Sequence, residues 1–216
     1  MDTTNTSSTP PTTETPDPDA PNHHAGHAGL SGFSGVLAAA SMAFGREADG
    51  DLVCRLVALA PGDRVVDIGC GPGTAARVGA AAGAEVVGVD PGGSMRTVAR
   101  LRDPRRTVRF VEGRAEALPI DDGWATAAWT IASVHHWPDV DAGIVEVRRI
   151  LAAGGRFAAV ERLVPPGANG LASHGWRVEQ AESFARRCRA AGFDAVRVER
   201  VTGARGAALA VVAVAP

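Results

Sequence analysis

The segment from Val65 to Gly73 constrains the fold of this chain more than any other part of its sequence. Two valines open a short apolar strand, Asp67 stands two positions before the first of three glycines, and the following residues are typical of a helix. Because glycine has no Cβ atom, a strand that turns through Gly69, Gly71 and Gly73 lets a ligand approach the bare backbone. The segment therefore predicts a strand–turn–helix unit with a ligand at its turn.

Asp67 narrows the choice of ligand. Three glycines in such a unit also describe the loop that binds dinucleotides, so the glycines alone do not identify the ligand. A carboxylate beside the turn would repel a pyrophosphate, which binds to helix N–H groups away from other anions. Asp67 therefore favours a nucleoside that carries no phosphate and has a cationic end.

Downstream of residue 64 the sequence alternates between strand and helix patterns. The predicted strands lie near 64–69, 84–89, 107–112, 126–131 and 155–161, followed by 194–200 and 207–214. The predicted helices lie near 74–82, 94–102, 139–151 and 176–191. This alternation predicts a doubly wound α/β fold, with a mostly parallel sheet and helices on both faces. Only Thr202–Gly206 separates the last two strands, which allows a hairpin and makes one strand antiparallel.

The first 60 residues predict little of the core. Residues 1–29 are rich in Thr, Ser, Pro and Asp and predict a disordered tail, which leaves 30–216 as a single domain. Helices at 36–48 and 52–59 would place cover helices within 30–60. His23, His24 and His27 lie in the tail without a neighbouring Cys or acid, so we expect a solvated linker and no metal site.

Composition excludes several classes of protein. All 22 basic residues are arginine, and there is no lysine or tyrosine, which excludes Schiff-base enzymes, Walker-type nucleotide sites and Tyr/Lys dehydrogenases. The three cysteines form no Cys-x-x-Cys pair and predict reduced thiols in the cytoplasm. We expect no membrane span, since no apolar run of about 18 residues is present, and no signal peptide.

A net charge of −2 gives no global attraction to nucleic acid. Seven arginines between Arg96 and Arg114 form a local basic patch against two acids, Asp103 and Glu112. Phe110 is the one aromatic residue among them, so the pattern favours a solvated face over an RNA groove.

Five segments resemble, in order, the motifs of the Rossmann-like (class I) S-adenosylmethionine-dependent methyltransferases, in their small-molecule, type 11-like branch. They are residues 65–73, 86–91, 113–120, 132–139 and 149–157. The resemblance implies the strand order 3-2-1-4-5-7-6 with strand 7 antiparallel. It also implies an enzyme that transfers a methyl group from S-adenosylmethionine to an O, N or C atom of a small-molecule acceptor.

The resemblance further implies a set of cofactor-binding residues. They are Asp67, Gly69, Gly71, Gly73, Asp90, Pro91, Met95 and Ala115. Asp90 ends the second strand and would accept the ribose hydroxyls. Ala115 would offer its backbone N–H to the adenine, and Met95 would pack near the ring or serve as a core residue. Arg114 stands where relatives usually carry an acid for the adenine amino group, and it has no assigned role.

Two histidines follow the fourth strand, beside the expected reactive centre. His135 is the candidate catalytic base, because imidazole accepts a proton near neutral pH, and a structural role for His135 and His136 stays open. Glu161 and His174 are further candidates on the same side of the sheet. Two alternatives also remain: a non-catalytic cofactor-binding module, suggested by Arg114 and by Thr126, where relatives often have Asp, and an RNA or protein methyltransferase that uses the arginine face.

Overall fold

The computed structural model describes residues 47–165, 168 and 174–216. The predicted disordered tail at 1–29 and the predicted cover segment up to residue 46 lie outside the described residues.

Strands and helices alternate through most of the described chain. The strands are β1 (Arg64–Ile68), β2 (Glu85–Val89), β3 (Val108–Val111), β4 (Ala125–Ile131), β5 (Leu151–Arg162), β6 (Asp194–Gly203) and β7 (Gly206–Val214). The helices are α1 (Glu47–Leu56), α2 (Thr74–Ala81), α3 (Gly93–Leu101), α4 (Val140–Ile150) and α5 (Val178–Ala190), and a 3₁₀ turn covers Val134–His136. No helix among these is long and apolar enough to cross a membrane.

The strands form one seven-stranded sheet in the order β3-β2-β1-β4-β5-β7-β6. Strands β1 to β5 pair in parallel, whereas β7 pairs antiparallel with both β5 and β6. A tight hairpin joins β6 to β7, with Gly203 opposite Gly206. The predicted doubly wound sheet, its strand order and its reversed last strand are confirmed.

Successive residues of the central strands point to opposite faces, so the sheet separates two apolar clusters. In β1, Val66 packs in one cluster with residues of α4 and α5, such as Ile144 and Phe184. Its neighbour Val65 packs in the other cluster with residues of α1 and α2, such as Val53 and Ala76. Helices therefore cover both faces, as the alternating sequence pattern predicted.

Small residues let α2 lie close to the sheet. Trp129 of β4 is fully buried, and a Cβ atom placed on Gly79 of α2 would lie 2.8 Å from its ring. Ala75 and Ala76 of the same helix are also buried. Because α2 starts directly after the glycine turn, this close packing fixes where the turn lies above the sheet.

The structure corrects two element boundaries. Helix α1 begins at Glu47 rather than near residue 52, and β5 begins at Leu151 rather than near residue 155. The register between β4 and β5 shifts after the pair Ala125–Leu151, and Gly154 has φ of 75°. The Gly154–Gly155 pair therefore forms an irregularity inside the strand, although its sequence is typical of a turn before a strand.

Thr126 has a structural role at the amino end of β4. Its hydroxyl donates to Oδ1 of Asp63 at 2.7 Å, and the same carboxylate oxygen accepts from Arg156 at 2.6 Å. Its Oγ1 also accepts from the backbone N–H of Arg64 at 3.0 Å. This network lies at the opposite end of the strand from the candidate site, so Thr126 gives no reason to assign a loss of activity.

Candidate functional site

A pocket opens where β1, β2 and β4 end, at the edge where open α/β sheets bind ligands. Its walls come from the carboxyl ends of these strands and from the segments that follow β1, β2, β3 and β4. The lining residues are Ile68, Gly69, Val89, Pro91, Gly113, Arg114, Ala115, Glu116, Ser133, His136, Trp137 and Pro138. Several of the residues predicted to bind a cofactor are thus brought to one place.

The three glycines of the turn differ in how much space a side chain would have at each position. All have positive φ angles, 69° at Gly69, 51° at Gly71 and 74° at Gly73. A Cβ atom would lie 2.0 Å from Ser133 Oγ if placed on Gly69, and 2.6 Å from the Phe110 ring if placed on Gly73. On Gly71 it would meet nothing within 4 Å. Protein packing therefore requires two of the glycines, and Gly71 alone of the three faces open space.

Asp90 joins the glycine turn to the loop after β2. Its Oδ2 accepts the backbone N–H of Gly71 at 2.8 Å, and its Oδ1 accepts that of Gly92 at 2.7 Å. The residue is buried, and burial raises the pKa of its carboxyl despite these two hydrogen bonds. Each carboxylate oxygen has a second lone pair, so Asp90 can still accept hydrogen bonds from a ligand.

Asp67 is a buried carboxyl group at the end of β1. Only 2% of the residue is exposed, and its Oδ2 atom is buried with no hydrogen-bond partner in the described structure. Burial raises the pKa of Asp67 to about 7, and the nearby charge of Asp90 adds to this effect. Asp67 therefore ionises near neutral pH, and a nearby cation would favour its charged form.

The other predicted cofactor residues lie around the same pocket. Pro91 and Ala115 line it, and Ala115 is buried. Met95 is half-buried in the first turn of α3, with its side chain next to Gly92, and it does not line the pocket. Arg114 does line the pocket, with its side chain 62% exposed and its Nε 4.0 Å from Glu116 Oε2.

His135 forms a buried pair with Glu161. The Nδ1 atom of His135 lies 2.9 Å from Glu161 Oε2, and the two side chains are 8% and 1% exposed. The backbone N–H of His135 also donates to Glu161 Oε1, at 3.4 Å. A carboxylate on Nδ1 holds the proton there, so the lone pair of the neutral ring lies on Nε2, where it can accept a proton.

The end of β4 directs the chain into this pair. Ala132 has φ of 51°, an unusual backbone conformation for a residue with a side chain, and its N–H donates to Val160 of β5 at 2.8 Å. The 3₁₀ turn then places His135 and His136 side by side, with ring centres 4.1 Å apart. His174 approaches from the segment before α5, its ring centre 5.1 Å from that of His135.

Sequence reasoning found these side chains singly and missed their arrangement. His135, Glu161 and His174 come from three segments, and their meeting depends on the order of β4 and β5 in the sheet. Ser133 was missed as a pocket residue that fills the space opposite Gly69. Its signal was its place in the segment 132–139, directly after the fourth strand.

Comparison with known proteins agrees with this geometry. Residues 66–159 match the methyltransferase domain family. The chain is 38% identical over 113 residues to a demethylmenaquinone methyltransferase of Thermus thermophilus, covering 50% of this chain and 51% of that protein. It is 34% identical over 144 residues to the 27-O-demethylrifamycin SV methyltransferase of Amycolatopsis mediterranei, covering 62% and 52%. A SAM-dependent methyltransferase from Aquifex aeolicus shares the fold, with a TM-score of 0.69, 15% identity and coverage of 84% and 98%.

Over residues 66–159 the chain is therefore similar in sequence to methyltransferases, and its fold is that of the class I S-adenosylmethionine-dependent methyltransferases. The matched region runs from β1 into β5, so it contains the glycine turn, Asp90 and His135. The chain spans about half the length of the curated relatives it matches.

Proposed function

We propose that this methyltransferase transfers a methyl group from S-adenosylmethionine to a hydroxyl oxygen of a small-molecule acceptor, with His135 as the base. The observation that carries the proposal is the buried pair of His135 and Glu161, which lies next to His136 in the wall of the pocket. A hydroxyl group has a proton of high pKa that must leave as the oxygen is methylated, and a positioned base assists that step. Methyl transfer to carbon or nitrogen is the less favoured alternative.

Residues of the glycine turn, of the loop after β2 and of the pocket beside them would hold the cofactor. Gly71 leaves open space where a ligand can approach the backbone, and Asp67 has a buried oxygen without a hydrogen-bond partner, suited to a cationic end. Asp90 would accept the ribose hydroxyls, Ala115 and Pro91 would contact the adenosine, and Gly69 and Gly73 would shape the turn. When bound, S-adenosylmethionine supplies an electrophilic methyl group on a sulfonium centre.

Met95 and Arg114 would act at the adenine end. Met95 is half-buried beside Gly92 and does not line the pocket, and we propose that it packs near the ring. The exposed guanidinium of Arg114 cannot accept a hydrogen bond from the adenine amino group, because it carries donors only. The adenine contact therefore depends on backbone groups and on apolar packing.

Glu161 would orient and stabilise the base. By accepting the Nδ1 proton it holds the imidazole in the tautomer whose Nε2 can take the proton of the acceptor hydroxyl. Its negative charge then stabilises the imidazolium that forms, as a buried carboxylate does in a catalytic triad. The enzyme's remaining task is alignment, because the displacement at a sulfonium needs the oxygen, the methyl carbon and the sulfur nearly in line.

One relative supports an oxygen atom as the acceptor, because it is named for a rifamycin that lacks an O-methyl group. Another, named for demethylmenaquinone, supports a small-molecule acceptor without favouring oxygen over carbon. Within the arginine patch, Arg96 pairs with Glu112, Arg100 donates to the carbonyl of Phe110, and Arg102 donates to Thr74, so these charges serve packing. That use of the arginines supports a small-molecule acceptor rather than nucleic acid.

Location is part of the same proposal. Cys54, Cys70 and Cys188 are free thiols. Free thiols are the usual state of cysteines in a reducing compartment, which supports action in the cytoplasm.

Product formation tests the proposal directly. The full chain is incubated with S-adenosylmethionine and a panel of phenols, hydroquinones and alcohols, and S-adenosylhomocysteine is measured by chromatography. We expect turnover with at least one hydroxylated acceptor, and a kcat about 10² to 10⁴ lower for His135→Ala. The KM for S-adenosylmethionine should stay the same in that variant.

Two controls separate catalysis from folding. Glu161→Gln should lower kcat, since the neutral amide cannot stabilise an imidazolium, and exogenous imidazole should restore part of the activity of His135→Ala. A kcat for His135→Ala within twofold of the parent would show that His135 is structural. Binding of S-adenosylmethionine without turnover of any acceptor would favour the non-catalytic module.

A further inference from the structure

Three imidazoles meet beside the pocket. His135, His136 and His174 each offer a ring nitrogen, and these atoms all lie within 4.8 Å of one another. The ring centres of His136 and His174 are 5.7 Å apart, so all three rings face one small volume. His135 and His136 come from the turn after β4, whereas His174 comes from the segment before α5.

Contacts with the rest of the protein position the three histidines. Glu161 accepts from His135 at Nδ1, which leaves the lone pair of Nε2 as the one that can bind a further partner. The backbone carbonyl of His174 accepts from Nε and Nη2 of Arg162, at 3.2 and 3.1 Å, which ties that segment to the end of β5. The 3₁₀ turn sets His136 next to His135. The cluster is therefore built from anchored segments.

The donor set matches one class of ligand. Neutral imidazole nitrogen is a preferred ligand of Zn²⁺, Cu²⁺, Ni²⁺ and Co²⁺, and three histidines with an open fourth position are a known zinc arrangement. On one Zn²⁺, with bonds of about 2.0–2.1 Å, neighbouring nitrogens lie about 3.4 Å apart. Movement of each ring by about an ångström would bring the nitrogens from their present separation to that distance.

The surroundings favour such a cation as well. Glu161 supplies a carboxylate behind His135, the arrangement that commonly orients a metal-binding histidine and makes its other nitrogen more basic. Exposure increases across the cluster, because His135 is buried, His174 is half-buried and His136 is exposed. A cation can therefore enter from the side of His136.

We infer that His135, His136 and His174 form a binding site for one divalent transition-metal cation of the Zn²⁺ class. The cation takes the lone pair of His135 that the proposed function assigns to the acceptor proton. Metal binding and proton acceptance at His135 therefore exclude each other. This exclusion rests on the proposed function, and it predicts that Zn²⁺ inhibits methyl transfer reversibly and that a chelator restores it.

Cobalt gives a readout that does not depend on activity. The full chain is first changed at His23, His24 and His27 to Gln, so that the histidines of the amino-terminal segment contribute no binding. Co²⁺ is then added to the metal-free protein, and its visible absorption is followed. We expect one equivalent to bind with the intense bands of a low-coordinate nitrogen site, and Zn²⁺ to displace it.

Variants locate the binding. In the same background, His136→Ala and His174→Ala should each weaken Co²⁺ binding at least about tenfold, while circular dichroism shows an unchanged fold. Leu101→Ala, an exposed site on α3, serves as the matched control and should leave the affinity unchanged. Co²⁺ affinity that is the same in the parent and in a variant with all three histidines changed to Ala would overturn the site.

The two proposals fail separately. Binding of Co²⁺ to a protein that methylates no acceptor would leave the metal site in place and reject the proposed function. Methyl transfer by a protein that binds no Co²⁺ would reject the metal site and leave the proposed function in place. Stimulation of turnover by Zn²⁺ would overturn the claim that metal binding and proton acceptance exclude each other.

Discussion

Neutralising Asp67 should change the stability of the fold in a pH-dependent way. This carboxyl is buried, and its pKa of about 7 lies well above its ordinary value of 3.8. Between these two values the native state holds a proton that the unfolded state has released. The stabilising contribution of Asp67 is therefore largest in acid, and it falls as the pH rises through about 7.

The size of the effect follows from the two pKa values. A difference of about three pH units, at 1.36 kcal/mol each, corresponds to a loss of up to about 4 kcal/mol between pH 4 and pH 8. Asp67→Asn removes the ionisation and therefore this loss. The free energy of unfolding of the variant minus that of the parent should therefore be about 2–4 kcal/mol larger at pH 8 than at pH 4.

Urea denaturation of both proteins without cofactor, at several pH values from 4 to 8, measures this difference. The amide of the variant forms its own hydrogen bonds, which shift its stability by the same amount at every pH, so only the change with pH counts. A stability difference that is constant from pH 4 to pH 8 would refute the reasoning. Under the proposed function, in which Asp67 lies near the cationic end of the cofactor, the same variant should also bind S-adenosylmethionine more weakly.

Three further predictions concern the turn, the ribose contact and the tail. Gly71→Val should weaken S-adenosylmethionine binding in calorimetry at least tenfold, about 1.4 kcal/mol; Gly62→Val, at a similar positive φ with open space around it, should leave the affinity unchanged. Asp90→Ala should weaken it about 10- to 150-fold and abolish any preference for ribose over 2′-deoxyribose analogues, whereas an unselective parent would make Asp90 a turn residue. Deleting residues 1–29 should leave the melting temperature and cofactor affinity within error, and a loss of more than a few degrees would show that the tail packs on the domain.

The fold was predictable because its signals are local and repeated. Buried strands of valine and alanine alternate with helices, and a five-residue link between the last two strands permits only a hairpin. The start of β5 was not predictable in this way. Leu151 continues the apolar pattern of α4, and only its pairing with Ala125 makes it a strand residue.

The sequence indicated the candidate site residue by residue but not as an arrangement. The glycine turn and Asp90 carry their signal in the spacing along the chain. The pairing of His135 with Glu161 depends on two strand ends that are 26 positions apart in sequence. The sequence also could not show that Asp90 is buried and accepts the amide N–H of Gly71, so substitutions at Asp90 will disturb the turn as well as the proposed ribose contact.

The contact between Gly69 and Ser133 has a consequence for how such an enzyme can change its acceptor. The glycine turn follows β1 and Asp90 follows β2. His135 follows β4, and Glu161 lies near the end of β5. Ser133 fills the space that a side chain on Gly69 would need, so the segment after β4 packs directly against the glycine turn after β1. Under the proposed function, a larger residue at either position would push His135 away from the methyl donor. The proposed function therefore predicts that substitutions at the rim of the pocket can change the acceptor, whereas Gly69 and Ser133 must stay small to keep His135 close to the methyl donor.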